Sequence, residues 1–128
     1  MPLNILLVAV GGAFGSVMRY LTGVAAGRLL GLKFPYGTLT ANVVGGLLMG
    51  ILVGVLALRG GEHQDRWRVL IAVGFLGGYT TFSSFSLELA RMVETRAWGQ
   101  ALGYSLGSVI AGVSAVFLGM FLMRKLLA

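Results

Sequence analysis

The chain has 128 residues, 57% of them hydrophobic and 11% charged, with a mean hydropathy of +0.90 and a formal charge of +6. A soluble domain of this size needs a far more charged surface, so these values place the chain in a membrane. The Lys and Arg residues stand singly between apolar runs, the pattern of membrane-flanking positions and not of a nucleic-acid patch, and the absence of cysteine excludes a disulfide framework or thiol chemistry.

The N-terminus, MPLNILLVAV, has no basic region ahead of its apolar run, and the run continues past signal-peptide length. It predicts a first membrane span over residues 4–30, interrupted by Arg19 and Arg28. An ionisable group inside a span either marks a functional site or snorkels to the interface. In either position Arg19 would concentrate anions near a water-filled entrance.

A second span, residues 38–58, follows the turn-like KFPYG. On it Thr38 and Asn42 stand one helical turn apart, and Asn42 has an amide NH₂ to donate. The longest polar segment, Arg59–Arg68, comes next, so no separate soluble domain is expected. His63, the single histidine, lies in that segment, reads as a loop residue and builds no metal cluster alone. A third span is expected over residues 67–98 and a fourth over 101–122, where Tyr104 and Ser108 repeat the four-residue spacing. Residues 1–128 thus form one domain, an all-α membrane protein of four transmembrane helices.

Small residues recur at four-residue spacing: Gly11/Gly15, Ala41/Gly45, Gly46/Gly50/Gly54, Gly103/Gly107 and Ala111/Ala115/Gly119. Such stripes let helix backbones approach closely, and with four short helices much of that surface is expected to meet another subunit. Charge gives little orientation. With both termini on one side, that side holds Arg59, Arg66, Arg68, Arg124 and Lys125, against Arg28, Lys33, Arg91 and Arg96 opposite. The chain is therefore expected to insert either way up, a weakly biased single topology being the alternative. Two orientations would permit an antiparallel homodimer with its two-fold axis in the membrane plane.

The stretch GFLGGYTTFSSFS, residues 74–86, lies midway along the third span. An unbroken helix over residues 67–98 would be about 48 Å long at about 1.5 Å per residue, against an apolar core of about 30 Å. A break near Gly77–Gly78 relieves the excess and frees backbone carbonyls and amides at mid-depth, tolerable only inside protein or beside water. Freed carbonyls suit a cation such as Na⁺, freed amides an anion; a glycine kink used purely for packing is the plainer reading. Phe82 and Phe85 are three apart and share a helix face, their ring edges positive, with Ser83, Ser84 and Ser86 nearby. The carboxylates near a span, Glu88 and Glu94, fall toward the end of the third, where Glu88 caps the helix or pairs with Arg91. Donor-rich, carboxylate-poor walls favour an anion.

At GGAFGSVMRY (11–20), PYGTLTANVVGG (35–46) and above all GFLGGYTTFSSFS (74–86), the chain resembles the Fluc (CrcB) family of small bacterial fluoride channels. The resemblance implies a dual-topology antiparallel homodimer in the bacterial cell (inner) membrane, with two antiparallel pores that passively export cytoplasmic fluoride down its electrochemical gradient. It implies a central structural Na⁺ held by the backbone carbonyls of Gly77 and Thr80 from each subunit. It places Asn42, Phe82, Phe85, Thr38, Tyr104 and Ser108 along the fluoride pathway and Arg19 in the vestibule. Gly112 stands where the track often has another hydroxyl, so Ser114 or a water would substitute, and Tyr79 is bulkier than the expected leucine. The partners implied are fluoride, a second copy and lipid, with no nucleic acid.

A small multidrug exporter also has four spans and dual topology, but its mechanism needs a carboxylate in the first span, and none is present. A non-conducting scaffold would not need the donor stripes. Enzyme activity is not expected, since no nucleophile–base pair or metal cluster stands at membrane depth.

Overall fold

The computed structural model describes residues 2–59, 61–62 and 64–127, which places His63 outside the described residues. Among the described residues four helical stretches are long and apolar enough to cross a membrane. The first is α1 (Pro2–Leu30) and the second α2 (Tyr36–Arg59). The third opens with α3 (Gln64–Trp67), continues as a π-helix (Arg68–Leu76), closes with α4 (Gly77–Tyr79) and resumes as α5 (Ser83–Glu94). The last is α6 (Trp98–Leu127), so Trp98 opens the fourth span and does not end the third. Gly31 terminates α1 in the left-handed region at φ 92°, donating its N–H to the Gly27 carbonyl at 3.1 Å.

The helices pair by their glycine stripes. α1 lies on the π-helical stretch and α2 on α6. A Cβ on Gly74 would stand 3.2 Å from the Gly11 Cα, and one on Gly78 would stand 2.7 Å from the Gly12 carbonyl oxygen. These two helices therefore touch backbone to backbone, the contact small residues permit in a medium that gives helices no hydrophobic drive to associate. Across the other pair, a Cβ on Gly119 would reach 2.7 Å from the Ile51 nitrogen, and one on Gly50 would overlap the Val116 carbonyl. The expectation of close packing holds for Gly11, Gly15, Gly45, Gly46, Gly50, Gly54 and Gly119. Gly103 and Gly107 differ: nothing lies within 4 Å of a Cβ built there, because that face of α6 is turned away from the bundle.

The third span is interrupted, but two to three residues later than its glycines predict. Gly77 and Gly78 are helical, and the chain leaves the helix at Thr80 (φ −86°, ψ 159°) to re-enter it at Ser83. Gly78 serves close approach to α1, and the interruption is made by side chains described next.

Candidate functional site

Asn42 of α2 holds the interruption with both ends of its amide. Its Nδ2 donates to the Thr81 carbonyl at 2.9 Å, and its Oδ1 accepts the Thr81 N–H at 2.8 Å. In a continuous helix that N–H would bond the Gly77 carbonyl. Likewise the Ser84 N–H, the ordinary partner of the Thr80 carbonyl, donates instead to Thr81 Oγ1 at 3.1 Å, so Thr81 caps α5. Two carbonyls, those of Gly77 and Thr80, thereby lose their helical partners. Thr80 itself stays attached to the preceding turn, its N–H and Oγ1 each donating to the Leu76 carbonyl at 2.9 Å.

Four of the six expected pathway residues gather around one cavity of about 390 Å³: Asn42, Phe82, Phe85 and Ser108, with Thr80 and Gly112 also on its wall. Phe82 and Phe85 are neighbours, ring centroids 6.0 Å apart. The Ser108 hydroxyl is buried there without a hydrogen-bond partner. One Asn42 N–H is also uncommitted, since an amide nitrogen has two to donate and the clamp uses one. No carboxylate lines this cavity. Ser114, the hydroxyl expected to stand in at Gly112, is exposed and not on the wall of this cavity.

The other two, Thr38 and Tyr104, are brought together by a residue read differently from the sequence. Glu88 neither caps the helix nor pairs with Arg91. Its Oε2 accepts from Thr38 Oγ1 at 2.9 Å and its Oε1 from Tyr104 Oη at 2.8 Å. The wall is thus not carboxylate-poor throughout: one turn of α5 beyond Phe85 carries Glu88 onto the donors expected to face an anion. Tyr104 is 1% exposed, its ring between Phe34 (5.2 Å, edge-on) and Phe85 (5.0 Å). Among the described residues the one ion pair is Arg68–Asp65, so Glu88 is balanced by hydroxyls and not by a cation. Tyr104→Phe keeps the ring but leaves the carboxylate one donor short. A hydrogen bond to a charged group contributes about 1.5–3 kcal/mol, and a drop of that order is expected in the stability of detergent-solubilised protein on thermal unfolding.

Arg19 is half-buried and lines a cavity of about 250 Å³ with Ser16, Thr38, Thr81 and Ser84, none of them acidic. A larger opening of about 480 Å³, bordered by Lys33, Thr38, Glu88, Arg91 and Gln100, meets it at Thr38. Sequence reasoning passed over Thr81, whose backbone Asn42 clamps and whose hydroxyl caps α5, and misjudged Glu88. The rule that an ionisable group within a span marks a site would have flagged the second.

A bundle of four membrane-length helices, with a half-buried amide and hydroxyl beside the rings of Phe85 and the exposed Phe82, defines a polytopic membrane protein with polar groups at mid-span. A family model described as CrcB-like protein, Camphor Resistance (CrcB), matches residues 6–120, and the chain belongs to this family. It is 58% identical to "Fluoride-specific ion channel FluC" of Phenylobacterium zucineum (strain HLK1) over 124 residues, 97% of this chain and 98% of that one. The protein of the same name from Caulobacter sp. (strain K31) is 57% identical, over 96% of each chain. That of Mesorhizobium japonicum is 46% identical, over 96% of this chain and 98% of its own.

Proposed function

We propose that the protein is a passive, fluoride-selective channel of the bacterial cell membrane that lets cytoplasmic fluoride leave down its electrochemical gradient. The observation that carries the reading is the Ser108 hydroxyl, buried without a partner in the cavity shared by Asn42, Phe82 and Phe85. A hydroxyl in that state is stabilised by an acceptor, and no carboxylate on the wall supplies one. Fluoride is small and strongly hydrated, so a pore must replace its water with several weak donors, tight enough for entry and loose enough for exit. Ser108 Oγ, the second Asn42 N–H and the two ring edges form such a set. Arg19 raises the local anion concentration at the cavity it lines with Ser16, Thr38, Thr81 and Ser84, on whose wall no acidic residue stands.

In this reading two chains meet antiparallel as a homodimer with one pathway each, consistent with the even distribution of Lys and Arg between the two sides. The carbonyls of Gly77 and Thr80, deprived of their helical amides, are hard oxygen donors that fit a Na⁺. Such an ion would add positive potential at the centre of the assembly.

Liposomes carrying the purified protein are expected to release fluoride and retain chloride, and equal loss of both anions would overturn the reading. Ring-edge contributions are of the order of 1 kcal/mol, so Phe82→Ile and Phe85→Ile are each expected to slow release at least about fivefold. Wild-type rates in both would remove the rings from the pathway.

A further inference from the structure

We infer that Tyr79 is a positioning residue for the interrupted third helix, acting through a hydrogen bond between its hydroxyl and that of Thr22 on α1. The inference rests on the channel reading and deepens it. Tyr79 is the last helical residue before the chain turns extended at Thr80, and it is 6% exposed. Its ring lies nearly parallel to that of Phe75 (12°, centroids 6.1 Å apart), one turn earlier. On the α2 side, a Cβ on Gly45 would stand 3.5 Å from the ring, an ordinary van der Waals contact, while the Thr80 methyl fills the space a larger residue there would occupy. At its far end Oη lies 2.9 Å from Thr22 Oγ1, and either hydroxyl can donate.

A phenylalanine would fill the same volume without the polar tip. A buried phenol is tolerated in an apolar bundle when its hydroxyl finds a partner, and here the partner sits on a different helix 57 residues away in sequence. A tyrosine side chain has two main torsions, so a ring packed on Phe75 and anchored at its tip leaves its own Cα little freedom. The next two residues are those whose backbone matters. Thr80 carries a released carbonyl, and Thr81 is clamped by Asn42. The interruption is therefore held from two sides, by Asn42 of α2 and by the Tyr79–Thr22 pair reaching α1. Neither Tyr79 nor Thr22 lines the cavity of Asn42, Phe82, Phe85 and Ser108, so any effect on conduction passes through the backbone.

The test uses full-length protein in liposomes and four variants: Tyr79→Phe, Thr22→Val, Thr22→Ser and the Tyr79→Phe/Thr22→Val double. Two readouts are taken, fluoride release per reconstituted channel and amide hydrogen exchange at Thr81 and Ser84. Loss of one net hydrogen bond corresponds to roughly fivefold. Tyr79→Phe and Thr22→Val are each expected to slow release and to speed exchange at those two amides by about that factor. The double variant should be no worse than either single, and Thr22→Ser, which keeps the hydroxyl, should restore wild-type behaviour. Additive losses in the double, or unchanged exchange at Thr81 and Ser84 in both singles, overturns the inference. If the wild type does not discriminate fluoride from chloride, the channel reading fails by itself, and the exchange measurement still decides the Tyr79–Thr22 clamp.

Discussion

Asn42→Ala is expected to suppress fluoride release from liposomes by at least about thirtyfold, because it removes a clamp as well as a pore donor. Both hydrogen bonds of Asn42 end on the backbone of Thr81. Each half-buried peptide group left without a partner loses about 1–3 kcal/mol, and two at the lower bound already amount to roughly thirtyfold in the population of the interrupted form. The freed Thr81 N–H can then return to the Gly77 carbonyl and extend the helix. Asn42→Asp separates the two roles of the amide. It keeps an acceptor for the Thr81 N–H but sets a carboxylate oxygen against the Thr81 carbonyl, so it should also fail. Amide exchange at Thr81 reports the clamp directly. Wild-type exchange and flux in Asn42→Ala would show that the interruption stands without it.

Gly15→Ala is expected to prevent assembly of a stable bundle. A Cβ there overlaps the Phe75 carbonyl oxygen and comes within 2.9 Å of the Tyr79 nitrogen, all backbone atoms that no rotamer change can move. Overpacking of this kind typically destabilises by about 1–3 kcal/mol, and a clash with the backbone of two successive turns of the third span belongs at or above the upper end. The displaced helix is the one that carries Tyr79 and Thr80, so whatever protein folds should conduct poorly. Gly99→Ala is the matched control, since nothing lies within 4 Å of a Cβ at that position. Thermal unfolding of the two variants in detergent decides the matter, and a wild-type midpoint for Gly15→Ala would mean the α1 contact is not limiting.

Much of the site was legible because its chemistry is local. Hydroxyls, an amide and two phenylalanines at helical spacing stand out from an apolar background, and Asn42, Phe82, Phe85 and Ser108 do converge on one cavity. Thr81 was passed over because what matters about it is its backbone, whose partner lies 39 residues away. Glu88 was misjudged for a related reason. Its in-helix neighbour Arg91 is the obvious partner by spacing, yet the acceptors' donors arrive from α2 and α6.

Composition and apolar run length by themselves determined that the chain spans a membrane four times, since burying some 20 apolar residues per span is a matter of solvent and not of neighbours. The need to shorten an overlong third span was equally a one-dimensional fact. Where that span parts was decided only in three dimensions: Gly77 and Gly78 could have bent, but Gly78 is held against Gly12, and the clamp on α2 falls at Thr81. Backbone groups leave a helix at the point where another element offers them better partners, and which element stands there is a property of packing.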